Sequence, residues 1–152
     1  MARNIIDLPT LGDDGRLYRD TALDLVESLI PNPWESCHAP DLLELENGDL
    51  LCCWFAGSSE GNADISIAVA RLPAGASQWE QPVIVSDDPT RSEQNPSLFQ
   101  NPNGDIWLMY TAQAAKKPDE NNPDSMQGTA EIRRKISRDG GRTWGPTEAM
   151  FT

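Results

Sequence analysis

An all-β fold built from repeated antiparallel sheets is predicted by three observations on the amino-acid sequence. Residues 39–57 (APDLLELENGDLLCCWFAG) align without a gap on residues 95–113 (NPSLFQNPNGDIWLMYTAQ), at an offset of 56 residues. Pro40/Pro96, Leu42/Leu98, Asn47/Asn103, Gly48/Gly104, Asp49/Asp105 and Ala56/Ala112 are identical between the copies. Each copy is an apolar run, an Asn-Gly-Asp turn and a second apolar run, which is the pattern of two antiparallel strands joined by a tight hairpin. Each hairpin is then followed by a third apolar run, by a Trp with a Pro close behind it, and by a fourth run. Four antiparallel strands repeating at a period in the fifties are propeller blades rather than half of a sandwich.

The elements follow in order. Residues 1–35 form an N-terminal segment in which 21–30 (TALDLVESLI) reads as a strand belonging to another blade. The alternative is a short amphipathic helix with Leu23, Val26 and Ile30 on one side. The strand is preferred because Pro31 and Pro33 end it. Residues 36–87 make the first blade, with its third strand at 65–71, Trp79 and Pro82 after it, and its fourth strand at 82–86. Residues 88–152 make the second, with its third strand at 130–137, then Trp144 and Pro146, and a fourth strand at 147–151. The second unit is longer by the polar stretch 116–127 (KKPDENNPDSMQ), whose Pro, Asn and Asp content marks an inserted loop.

Composition bounds the function. Of 152 residues, 24 are Asp or Glu and 12 are Lys or Arg, a formal net charge of −12. Nucleic acid or an anionic membrane would need a basic stripe, and only Arg133, Arg134 and Lys135 cluster, so neither partner is expected. The longest apolar runs, near 50–56 and 65–70, are too short to cross a bilayer, and residues 1–10 lack the pattern of a signal peptide. A cytoplasmic location is therefore expected. Cys37, Cys52 and Cys53 are odd in number, two of them adjacent in an apolar run, which predicts free buried thiols rather than a disulfide framework. No cofactor or zinc spacing is present. Asp13, Asp14, Asp87 and Asp88 have oxygen ligands but no EF-hand spacing, and solvated loops are expected there.

Residues 137–144 read SRDGGRTW, or Ser-x-Asp-x-Gly-x-Thr-Trp. In this pattern Asp139 can accept backbone N–H bonds across the Gly140-Gly141 turn while Trp144 packs beneath it. The stretch resembles the Asp box of the sialidase (neuraminidase) superfamily, carried here by Ser137, Asp139, Gly141, Thr143 and Trp144. The first unit keeps Trp79 but lacks the Asp. The resemblance runs from about residue 36 to the C terminus. It implies a six- or seven-bladed sialidase-like β-propeller, represented by about two blades of an incomplete ring.

The resemblance also implies a site. Where sialidases begin their first blade with Arg-Ile-Pro, this chain has His38-Ala39-Pro40, so the carboxylate-gripping arginine is replaced by His38. Glu60 matches the family's acid/base carboxylate, with Asp64 as its rival. Arg91-Ser92-Glu93-Gln94-Asn95-Pro96 matches the opening of the second blade. Arg91 is the expected carboxylate clamp, Gln94 and Asn95 the hydroxyl contacts, and Tyr110 and Gln113 further substrate contacts. A His in this place resembles the wider BNR-repeat group, in which a central His can act as base or acid near neutral pH. The implied activity is exo-glycosidase-type hydrolysis of a terminal acidic sugar, sialic acid or uronate-linked. The alternatives are a rhamnose–glucuronate lyase or hydrolase and a non-catalytic carbohydrate-binding propeller piece. The expected partner is an acidic glycan. Two blades cannot close a ring of 4–8, so the chain is expected to be a fragment of a longer enzyme, because it stops directly after a fourth strand; a ring of several copies is the alternative.

Overall fold

The Asn-Gly-Asp segments form the corners that their chemistry dictates. In the computed structural model, which describes residues 12–20, 22–117, 119, 121–122 and 126–152, Gly48 and Gly104 have φ of +83° and +89°. A side chain there would be strained. Asn47 and Asn103 each accept the N–H of the Asp two residues on at 3.1 Å, closing both hairpins in the same way.

Two short strands, β1 (Tyr18–Asp20) and β2 (Leu25–Glu27), precede two four-stranded sheets. The first sheet holds β3 (Ser36–Glu44), β4 (Leu50–Gly57), β5 (Ser66–Leu72) and β6 (Val83–Ile84), hydrogen-bonded in that order. The second holds β7 (Arg91–Gln100), β8 (Ile106–Ala114), β9 (Glu131–Ser137) and β10 (Glu148–Phe151), again in chain order. All pairings are antiparallel. The strand expected within residues 21–30 forms at Leu25–Glu27 and pairs with β1 in a two-stranded sheet, apart from the two four-stranded ones. The cause is local, since the Asp20 carboxylate accepts the N–H groups of Ala22 and Leu23 at 2.8 and 3.1 Å and folds the chain straight back. Residues 1–10, whose sequence lacks the pattern of a signal peptide, lie outside the described residues. No helix among the described residues is long and apolar enough to cross a membrane.

The two sheets pack face to face over one core. Leu51, Cys53, Phe55, Ile65, Ile67 and Val69 of the first meet Leu98, Ile106, Leu108 and Tyr110 of the second. The opposite face of β4 and β5 carries Cys52, Trp54, Ala56, Ala68 and Ala70, and the N-terminal segment covers it with Leu17, Ile30 and Trp34. β4 is thus buried on both faces, which is why LLCCWFAG is continuously apolar rather than alternating. β8 alternates instead, because its second face is open.

Polar clips fix one sheet on the other. Asp41 accepts the N–H of Leu98 at 2.7 Å and the hydroxyl of Ser97 at 3.1 Å, and Glu93 N–H donates to the carbonyl of Ile65 at 2.9 Å. The 137–144 turn joins β9 to β10. Asp139 accepts the N–H groups of Arg142 and Thr143 at 3.1 and 2.9 Å and the Thr143 hydroxyl at 2.5 Å. Ser137 accepts the N–H of Gly141 at 2.8 Å, and Trp144 packs on the shared core. A Cβ at Gly141 would lie 2.6 Å from Leu51 Cδ1, so only glycine fits.

Candidate functional site

Strand register gathers the candidate residues. Ser36 pairs with Gly57 and Ala56 with Ser66; Arg91 pairs with Ala114 and Ala112 with Glu131. The starts of β3, β5, β7 and β9 and the ends of β4 and β8 therefore share one rim, with loops 58–64 and 85–90 above them. The Asn-Gly-Asp hairpins and the 137–144 turn lie at the opposite rim.

Both first strands carry the same irregularity near this rim. The register shifts between His38 and Asp41 and between Gln94 and Ser97. At each bulge the residue before the proline has φ of +51°, Ala39 in one blade and Asn95 in the other. A bulge bends its strand and re-aims the neighbouring side chains.

The charged centre of the rim is a network around Glu131. One carboxylate oxygen of Glu131 lies 2.7 Å from Arg91 Nη2 and the other 2.9 Å from Arg133 Nη2. Arg91 Nη1 also donates to the carbonyls of Ala112 and Thr129 at 2.9 and 3.1 Å. Arg91 keeps a quarter of its side chain exposed (25%), so its guanidinium is both tethered and accessible. Arg133 Nη1 donates to Asp88 at 2.8 Å. Although burial opposes its charge, the carboxylates of Asp88 and Glu131 hold the Arg133 guanidinium above its ordinary value. The Thr90 hydroxyl, against the cost of burial and with help from the Thr90 N–H and Arg133, holds Asp88 down to about 2.

Beneath this network Glu93 is fully buried. Burial pushes its carboxyl up despite a hydrogen bond from Ser86, and its Oε1 stands 3.7 Å from Arg133 Nη1, too far for a hydrogen bond.

The other candidates fall into two groups. His38 is exposed, its ring centred 5.8 Å from that of Phe55, and Glu60 is half-buried in loop 58–64. Asn95 is exposed on the second bulge. These three present themselves at the rim with Arg91. Asp64, by contrast, is occupied in closing its own loop: its two oxygens accept the N–H and hydroxyl of Ser58, each at 2.9 Å. Gln94 is buried and donates to Ser92 Oγ at 2.9 Å. Gln113 is also buried. Tyr110 belongs to the shared core, where burial pushes its phenol up to about 12 against a hydrogen bond with Thr147. Loop 58–64 is braced from the second blade, as Lys116 N–H donates to Gly61 at 2.8 Å and Lys116 Nζ lies 3.3 Å from Ser59 Oγ.

Sequence reasoning missed Glu131, Arg133 and Glu93 as site residues. The signal of Glu131 and Arg133 was faint, a charged Glu-x-Arg at the start of a third strand directly after an inserted loop, whereas Glu93 stands within the 91–96 segment. The basic run 133–135 divides by strand alternation. Arg133 turns to the rim network, Arg134 lies 4.1 Å over the Trp107 ring on the other face, and Lys135 is buried. Among the described residues no three His, Cys, Asp or Glu converge as metal ligands.

Four-stranded antiparallel sheets stacked face to face, with β3 and β7 in contact, define a β-propeller protein. Within that class the chain belongs to the family of BNR repeat-like domains, which it matches over residues 48–151. No curated protein sequence matches it significantly. Among solved structures it is similar to the Hadza microbial sialidase Hz136, with 20% identity and a TM-score of 0.63 over 77% of this chain and 26% of that one. A protein of unknown function from Dyadobacter fermentans DSM 18053 is 18% identical, with a TM-score of 0.59 over 88% of this chain and 38% of that one. Trypanosoma rangeli sialidase, solved in complex with sialic acid, is 12% identical, with a TM-score of 0.53 over 91% and 23%. These likenesses establish the fold as two blades of a sialidase-like propeller, an incomplete ring. The chain spans about a quarter of the length of either sialidase.

Proposed function

We propose that this chain forms one wall of a glycan-processing propeller that hydrolyses a terminal acidic sugar, sialic acid or a uronate-linked residue. The observation that carries the reading is the tethered, partly exposed Arg91 guanidinium on the same rim as His38 and Glu60. An arginine held by Glu131 and two carbonyls has its orientation fixed in advance, which suits paired N–H contacts to a sugar carboxylate. In this reading Arg91 is the clamp, His38 the proton-transfer group, Glu60 its acid/base partner, and Asn95 a hydroxyl contact. The remaining blades would come from a longer protein. With His38 taking a proton beside the uronate carboxylate instead, the same residues would serve a rhamnose–glucuronate lyase.

The test is binding and turnover together. N-acetylneuraminate and glucuronate should bind this chain at least ten times more tightly than their methyl esters, and Arg91→Gln should erase that preference. A fluorogenic sialoside and a rhamnosyl-glucuronate should be turned over in a His38-dependent way by the protein with its full ring. Equal binding of acid and ester would sink the carboxylate clamp. A second reading, a non-catalytic carbohydrate-binding propeller, is favoured by the internal use of Asp64, Gln94 and Tyr110. Glycan binding without turnover, unaffected by His38→Ala, is its signature.

A further inference from the structure

At the rim opposite Arg91, the 137–144 turn carries a positive charge that its own closure does not use. Arg142 Nη1 donates to the carbonyl of Asp139 at 3.0 Å, a neutral acceptor. Arg71 reaches the same turn from β5, donating from Nη1 to the carbonyl of Gly140 at 2.7 Å and pairing through Nη2 with Asp49. Among the described residues, Asp49 is the one carboxylate within ion-pair distance of either arginine.

The two guanidinium groups converge on the bare side of Gly140. The point that a Cβ on this glycine would occupy lies 3.4 Å from Arg142 Nη1, and 3.7 and 3.9 Å from Arg71 Nη1 and Nη2. Like charges this close repel, and an anion shared by both relieves the repulsion. Each of these nitrogens carries two hydrogens, of which the bonds above use one. Arg71 is itself only 5% exposed, and its Nε–H is a buried donor without an acceptor. Such a donor is costly until an acceptor meets it.

The two arginines line one cavity of about 260 Å³, together with Val69, Val83, Gly141 and Glu80. A water takes about 30 Å³ of the liquid, so a phosphate group fits there with solvent around it. We propose that this cavity binds a small oxyanion, a phosphate group, between Arg71 and Arg142. The paired N–H groups of a guanidinium match phosphate oxygens, which a spherical halide does not exploit. Glu80 is an exposed carboxylate on the same wall, and its charge opposes the anion. The site goes beyond the glycan reading and does not depend on it.

Inorganic phosphate is the probe, titrated into the isotopically labelled chain at constant pH and ionic strength with chloride as the balancing ion. The Gly140 and Gly141 amide signals and the Arg71 Nε–H signal should move saturably, with a Kd on the order of 1–10 mM. Arg142→Gln, a change at an exposed position, should weaken phosphate at least fivefold, and Glu80→Gln should tighten it two- to fivefold. Arg91→Gln should leave the titration as it is, which separates this site from the opposite rim. At ten times Kd, phosphate should raise the Tm by about 3–6 °C over chloride, a gain that Arg142→Gln abolishes. If Arg142→Gln disturbs the turn, the Glu80→Gln titration and the chloride comparison decide. Absence of a saturable shift at Gly140 and Arg71, the same shifts in chloride alone, or one unchanged affinity in the Arg142→Gln and Glu80→Gln variants overturns the proposal.

Discussion

Ala39 and Asn95 occupy equivalent bulges with the same φ of +51°, yet only Asn is at ease there. A left-handed backbone costs an L-residue with a Cβ about 1–2 kcal/mol, and Asn less because its side chain bonds locally. Ala39→Asn is therefore expected to raise stability by about 0.5–1 kcal/mol, and Asn95→Ala to lower it similarly, read from denaturant midpoints. Glu93 carries a second prediction, in which the sign matters. Asp88 and Asp139 are both held down to about 2 from 3.8, Asp139 chiefly by the Thr143 hydroxyl and N–H. The stability that they contribute is present above about pH 4 and lost as pH falls toward 2. Glu93 is raised from 4.5 by burial, so its contribution is full below that value and drains as pH rises. Glu93→Gln should remove this loss, leaving the Tm at pH 7 higher relative to pH 5 than in the parent chain; an unchanged pH profile would refute the assignment.

At the scale of elements, the two blades solve one problem differently. The third-to-fourth strand turn of the second blade is closed from within by Asp139. The first blade has no such Asp, and its turn is closed by Asp49 from the neighbouring hairpin, which accepts the Ala74 N–H at 2.6 Å and pairs with buried Arg71. The Ala74 N–H, against burial and together with Asn47 and Arg71, lowers the Asp49 carboxyl. Arg71 Nη1 then donates to the Gly140 carbonyl at 2.7 Å, tying this turn to that of the other blade. Removing one partner of a buried pair leaves the other uncompensated. Asp49→Ala is expected to cost about 3–5 kcal/mol, and the double variant Asp49→Ala/Arg71→Met to recover part of it. Both values come from equilibrium denaturation.

Across the whole molecule, the core belongs to both sheets at once, with Phe55 and Ile67 on one side and Leu108 and Tyr110 on the other. Neither blade can lose its packing alone. Unfolding should therefore be a single transition, coincident by far-ultraviolet circular dichroism and tryptophan fluorescence. Leu108→Ala in the second blade should shift that transition as a unit by about 2–5 kcal/mol. A variant in which Trp54 and Trp34, buried only by the first blade and the N-terminal segment, reported a separate unchanged melt would contradict a shared core.

What the sequence by itself determined is everything that local chemistry controls. Repetition at an offset of 56 residues, glycine at the two hairpin corners and the Ser-x-Asp-x-Gly-x-Thr-Trp turn each depend on residues a few positions apart, so the blades and their turns were legible. The candidates His38, Glu60 and Arg91 were nominated by motif position alone. The tertiary structure alone decided which polar groups meet. Glu131 joins Arg91 to Arg133 across the inserted loop, and Asp49 reaches Ala74 from another hairpin. It also buries Gln94, Gln113 and Tyr110, the last in the core that the two sheets share. Burial and long-range pairing depend on how one sheet sits on the other, and no spacing along the chain encodes that.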